Sequence, residues 1–210
     1  MAPVALPIAP IGPEPISAQT LWQSFAQFIV RRRVRISLVV FVALILEDVL
    51  EGIKPHDLAN VYDAKSMLGL GLILAGLGLR SWAAGILRKG SQLTTTGPYS
   101  VIRNPLYVGS FMMMLGFCAL IDDAENIWFI LGPFVVLYVL RVLHEERSLS
   151  ERFGEQWHKY VRSVPRFFPR WLPTQGFAHW NLDQWLGNRE YRAVSAVLLG
   201  LVAVEMWQLF

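Results

Sequence analysis

The apolar residues of this chain are gathered into blocks rather than spread at amphipathic period, and nothing else constrains its fold as strongly. Five blocks stand out, at Val34–Leu50, Ser66–Leu87, Leu106–Ile121, Asn126–Leu143 and Ala193–Phe210. A helix needs about 20 mostly apolar residues to cross a bilayer. The second and fifth blocks meet that length. The third and fourth are shorter, but the polar turn Asp122-Asp123-Ala124-Glu125 between them makes a helical hairpin. Glu47 and Asp48 interrupt the first block, and the amphipathic stretch Leu21–Val30 is expected to lie along the interface ahead of it. The expected fold is all-α, a polytopic integral membrane helical bundle of about five transmembrane helices with a cytoplasmic interfacial helix. With 210 residues, 54% hydrophobic and only 17% charged, the chain suits a single membrane domain over 21–210. Residues 1–20 carry a Pro-rich tail with no charged leader region, which is expected to be disordered rather than a cleavable signal.

Basic residues orient such a bundle. The Arg31–Arg35 run, Arg88 with Lys89 and Arg103, and the many cations between Arg147 and Arg170 all fall on one side of the expected membrane. The other side holds Lys54 and Lys65 among Glu51, Asp57 and Asp63, and the acidic 122–125 turn. The N-terminus is therefore expected in the cytoplasm and the C-terminus outside. Polybasic segments beside apolar spans point to anionic lipid, not to nucleic acid. The lone Cys118 excludes an intramolecular disulfide and suggests no thiol metal site, and the histidines lack metal-ligand spacing. In the second block Gly69, Gly71, Ala75, Gly76, Gly78 and Gly85 invite close helix contact. They form no dinucleotide fingerprint, since G-x-G-x-x-G is lacking and no strand precedes them.

Two polar clusters land together on the cytoplasmic side. The first is the turn-rich insert Thr94–Gly109, with Gly97-Pro98, Tyr99, Arg103-Asn104-Pro105 and Tyr107. Gly97-Pro98 forces a turn, and Pro105 biases Asn104 away from helical geometry while suiting the first turn of the next span. Non-helical backbone at interfacial depth is tolerated only inside protein or beside a wet cavity. The second cluster is His144-Glu145-Glu146, at the end of the fourth block. Arg141 stands four residues before Glu145 and is placed to pair with it, leaving Glu146 for another partner. Two carboxylates at a membrane boundary are costly unless paired or used. Beyond them Phe153, Trp157 and Tyr160 share one helical face, with Arg152, Lys159 and Arg162 available to lipid headgroups, as in an interfacial helix. Arg80, inside the second block, has Glu47 or Asp48 as expected partners, or snorkels to the interface.

Thr96-Gly97-Pro98-Tyr99, Arg103 through Gly109, Glu145-Glu146 and Phe153-Gly154-Glu155-Gln156-Trp157 with Tyr160 and Val164-Pro165 together resemble the isoprenylcysteine carboxyl methyltransferase family, which is related to the phospholipid methyltransferases. The ordered match, with its motif core over 93–169, covers a little over a third of the chain. The resemblance implies a multi-span membrane enzyme that uses S-adenosylmethionine in a cytoplasm-facing pocket and takes a lipid, lipidated or small lipophilic acceptor sideways from the bilayer. It implies cofactor contacts from Leu93, Thr94, Gly97, Pro98, Tyr99, Asn104, Pro105, Tyr107, Glu145 and Glu146, with Arg103 and Glu146 as the catalytic pair. Asn104 stands where eukaryotic members carry histidine; it hydrogen-bonds but does not titrate near neutral pH. A carboxylate acceptor would be oriented by the Arg103 fork. A phospholipid amine, a thiol or a lipidic phenol is the alternative acceptor, a phenol or an ammonium acceptor requiring a base. Further alternatives are a related membrane reductase using NADPH and a membrane protein that has lost catalysis.

Overall fold

The computed structural model describes residues 46–58, 60, 62–90, 92–121, 124–169 and 179–209, together with positions 39 and 43. The Pro-rich tail, the Leu21–Val30 stretch and most of the first apolar block lie outside the described residues. Five helices follow a short helical run at 46–51: α1 Ala64–Ile86, α2 Pro105–Ile121, α3 Ala124–Ser163, α4 Leu182–Gly187 and α5 Tyr191–Leu209. No strand occurs among the described residues. Two of these helices, α1 and α5, are long and apolar enough to cross a membrane, and α2 is a shorter apolar helix of 17 residues. Their outward faces expose Leu68 and Leu74 on α1 and Leu198, Leu199 and Val202 on α5, and α3 exposes Val135, Val136 and Val139. So many exposed large apolar side chains fit contact with lipid rather than water.

Each boundary has a local cause. Asp63 caps α1, its side chain accepting from the Lys65 amide at 3.0 Å. At the other end the Asn188 side chain donates to the carbonyls of Ala84 and Leu87, 2.8 and 2.9 Å away, so orphan acceptors of the last turn are satisfied from 104 and 101 residues downstream. Pro105 opens α2 at a position where a missing amide costs nothing. In α3 the backbone breaks at Gly154 (φ 48, ψ −118), turning one continuous run into two helices that meet at a kink.

The hairpin of α1 and α2 is held by a glycine seam. Gly76 faces Gly109 so closely that a Cβ on either would lie 2.5 Å from the other's carbonyl oxygen, and seven residues along Gly69 faces Gly116 in the same way. The helices thus approach backbone to backbone, where packing replaces a hydrophobic drive that lipid cannot supply. Of the glycines expected to make such contacts, Gly71 and Gly78 have open space instead. Ile73 and Leu120 fill the seam's fully buried interior, against Val197 and Val204 of α5.

Arg80 is not paired with Glu47 or Asp48. Its guanidinium clasps Glu190 through two nitrogens at 2.8 and 2.9 Å, and also donates to Ser110 Oγ and to the Leu106 carbonyl. That joins α1, α2 and the turn before α5 beneath the loop that carries the polar cluster.

Candidate active site

The connector 87–104 leaves α1 and doubles back to α2. Gly97 takes φ +60, and a Cβ there would fall 2.6 Å from Ile86 Cδ1, so this turn accepts glycine alone without rearrangement. Pro98 and Tyr99 follow in a 3₁₀ turn, Gly97–Ser100, closed by the Ser100 hydroxyl donating to the Gly97 carbonyl at 2.7 Å. The turn is then pinned from the far side of the kink, where Tyr160 donates to the Tyr99 carbonyl at 2.7 Å and the Arg103 amide to the Pro165 carbonyl at 2.9 Å. The aromatic face of the second half of α3 therefore packs on protein: Trp157, Tyr160 and Val164 are buried against Leu93, Leu149 and Phe153. This corrects the expectation of an aromatic face turned to lipid. The period was right, but the loop supplies the apolar partner.

Between this loop and α3 lies a cavity of about 300 Å³, at the lower end of the range for small-ligand sites. Leu93, Thr94, Tyr99, Arg103, Asn104, Pro105, Tyr107 and Glu145 all line it, drawn from both sequence clusters. Gly97, Pro98 and Glu146 do not. Gly97 and Pro98 are buried and shape the turn, and Glu146 stands behind Arg103. Across the cavity the Tyr107 hydroxyl donates to Glu145 at 2.8 Å, and its ring meets Tyr138 edge-on with centroids 5.4 Å apart. Glu145 thus takes the tyrosine rather than the expected Arg141, whose Nε is buried with no hydrogen-bond partner.

Glu146 is the hub of a second arrangement. Arg166 binds it twice, at 3.0 and 2.6 Å, Arg103 approaches its Oε1 at 3.3 Å, and the Asn104 amide reaches the same oxygen at 3.4 Å. Arg166 is the better satisfied arginine: its hydrogen bonds to Glu146 hold it above its ordinary range. Arg103, 9% exposed at the side chain, is pulled below its ordinary range first by burial, with Glu146 only partly restoring it. It still carries its charge at neutral pH. Its guanidinium lies 5.8 Å from the Trp157 ring centroid, and its Nε has no partner. Tyr99, 6% exposed, likewise has an unpartnered hydroxyl, kept protonated because burial, then Tyr160 and Glu145, push its pKa up.

Buried polar atoms in native proteins nearly always find a partner. Three that do not, on Tyr99, Arg103 and Arg141, line the same cavity as Glu145. The donor set fits a ligand that carries both an anion and a cation, as a zwitterionic amino acid moiety does. Sequence reasoning missed Arg166, which it counted among lipid-facing cations, and misassigned Tyr160 to the lipid. Among the described residues no group of three or more His, Cys, Asp or Glu side chains is placed to hold a metal ion.

Residues 64–156 match the family model described as phospholipid methyltransferase. The chain is also 34% identical over 194 residues to the cobalt-zinc-cadmium resistance protein CzcN of Cupriavidus metallidurans, covering 90% of this chain and 88% of that one. The chain belongs to the phospholipid methyltransferase family. It is also similar to the protein-S-isoprenylcysteine O-methyltransferase of Schizosaccharomyces pombe, 28% identical over 98 residues, 47% of this chain and 42% of that one. That bears out the resemblance read from the sequence: a membrane-associated family in which isoprenylcysteine methyltransferases are relatives. The chain is also 29% identical over 85 residues to a probable 7-dehydrocholesterol reductase of Acanthamoeba polyphaga mimivirus, 40% of this chain and 19% of that one. No solved structure is a significant match.

Proposed function

We propose that the protein transfers a methyl group from S-adenosylmethionine to a lipophilic acceptor at the cytoplasmic face of a membrane, and that the accepting group is a carboxylate. The observation that carries this reading is the convergence of the 93–107 loop and α3 on one cavity whose buried polar groups are left incomplete. S-adenosylmethionine, when bound, supplies a methyl carbon activated by an adjacent sulfonium. Glu145, fixed by the Tyr107 hydroxyl, would face the cationic groups of the donor. Tyr99 and the loop amides after Leu93 would hold its polar tail, and the tyrosine rings would flank it. Arg103 offers a planar fork with an unfilled nitrogen, suited to a carboxylate. An acceptor carboxylate is already anionic at neutral pH, so the transfer needs orientation and exclusion of water rather than a general base. Glu146 acts here as a positioning residue, holding Arg103 from behind.

The same reading takes the chain as a five-span bundle with a cytoplasmic N-terminus, supported by the Lys/Arg bias of the sequence. A methyl ester carries no charge, so its formation removes a ligand for divalent cations from the membrane surface. That connects the reading with the resistance named for the Cupriavidus relative. A second reading, a nicotinamide-dependent membrane reductase, is favoured by the similarity to the dehydrocholesterol reductase.

The test is methyl-labelled S-adenosylmethionine with purified protein and total membrane extract, followed by mass identification of the labelled product. A base-labile methyl ester on a lipophilic molecule is expected. A label stable to base would place the methyl on an amine, thiol or phenol and overturn the carboxylate assignment. No labelled product, with binding of NADPH, would overturn methyl transfer itself.

A further inference from the structure

Three cations at the mouth of the cavity take no part in the arrangement described above. Arg88 and Lys89 lie exposed just past the end of α1, and Arg152 lies exposed on α3 two residues before the kink. All three line the same cavity. Gly90 brings them together: it turns with φ +79, and a Cβ built there would meet a guanidinium nitrogen of Arg152 at 3.3 Å. Among the described residues none of the three forms an ion pair within 4.0 Å, although Glu151 and Glu155 neighbour Arg152 in sequence. Like charges gathered from two distant elements, without a carboxylate between them, leave a concentrated positive field for an anion to occupy.

Two further features say what kind of anion. The cluster sits within one turn of the last residue of a helix long and apolar enough to span a membrane, the level at which lipid phosphates lie. The same cavity is also lined by the half-buried Leu87, Leu93, Leu149 and Phe153. A wall with a cationic corner and an apolar flank matches a headgroup phosphate joined to acyl chains better than it matches a soluble anion.

We propose that Arg88, Lys89 and Arg152 bind the phosphate of an anionic membrane phospholipid at the exposed rim of this cavity. The arginines offer paired N–H groups to phosphate oxygens, and Lys89 adds a point charge. The inference stands apart from the methyl-transfer reading, because it concerns binding alone.

The experiment uses the full chain in nanodiscs of mixed phosphatidylcholine and phosphatidylglycerol, with tightly held lipid identified by native mass spectrometry. Wild type is expected to retain phosphatidylglycerol in preference to phosphatidylcholine, and to keep it in excess inorganic phosphate. The R88Q/K89Q/R152Q variant is expected to lose that preference by about tenfold or more, and R152Q alone by about fivefold. R152Q keeps the test open if the triple variant fails to fold. Equal retention by folded variants would overturn the site, and full displacement by inorganic phosphate would overturn the lipid assignment. Where wild type binds S-adenosylmethionine, its loss in the triple variant would assign the cations to the donor instead and defeat the proposal. If wild type itself binds no S-adenosylmethionine, the reading of the cavity fails while the lipid result stands.

Discussion

Arg80 with Glu190 and Arg103 with Glu146 are both arginine–glutamate pairs drawn from distant parts of the chain, yet they are built to opposite ends. The first is complete. Glu190 is 3% exposed, both its oxygens are filled by Arg80, and the remaining guanidinium capacity goes to Ser110 and the Leu106 carbonyl. The second is short of partners: Glu146 is shared between two arginines, and Arg103 keeps an unpartnered Nε in the cavity that the unpartnered Tyr99 also lines. A satisfied cluster fixes helices, whereas an unsatisfied one at a cavity wall is held ready for a ligand. Breaking the first should therefore cost folding, and breaking the second should cost function.

Glu190→Ala should have the largest effect. It strands the Arg80 charge between α1, α2 and α5, a loss of about 3–5 kcal/mol, read as a lower denaturation midpoint in detergent. A midpoint close to wild type would mean that the pair is not the strut described. Arg103→Lys keeps the charge but loses the fork, so turnover should fall by about a hundredfold while the midpoint barely moves; full activity would remove Arg103 from acceptor orientation. Glu146→Gln should lower turnover by about tenfold, as Arg103 loses the charge that holds it; comparing turnover at saturating donor separates this from weaker donor binding. Tyr107→Phe removes one hydrogen bond to Glu145, which at about 1 kcal/mol predicts roughly fivefold weaker donor binding by calorimetry. Asn104→His should change least, since either side chain donates toward Glu146, and an activity more than about tenfold below wild type would contradict that equivalence.

The polar groups that meet at the candidate cavity were more legible in the sequence than the scaffold around them. Tyr99, Arg103, Tyr107 and Glu145 were legible because polar residues at a membrane boundary are rare and their clustering is conspicuous. Their meeting also followed from placing two loops on one side. What stayed hidden were choices among equivalent candidates. Six small residues in the second block invited contact, but only the register of α2 decides that Gly69 and Gly76 face partners while Gly71 and Gly78 do not. Arg80 has acids nearer in sequence than Glu190, and chain distance says nothing about a pairing that depends on how α5 starts. Arg166 was indistinguishable from its basic neighbours until the chain folded back at Pro165 to carry it to Glu146. The same return explains Trp157 and Tyr160: an amphipathic period reports that a face is covered, not by what.

The most direct measurement is photo-crosslinking of radiolabelled S-adenosylmethionine to the purified protein, with the labelled peptides mapped. Label within the loop from Leu93 to Tyr107 and on the α3 stretch from Arg141 to Phe153, competed by unlabelled donor and weakened in Tyr107→Phe, is the predicted result. Label confined elsewhere in the chain, or displaced by NADPH and not by S-adenosylmethionine, would contradict it.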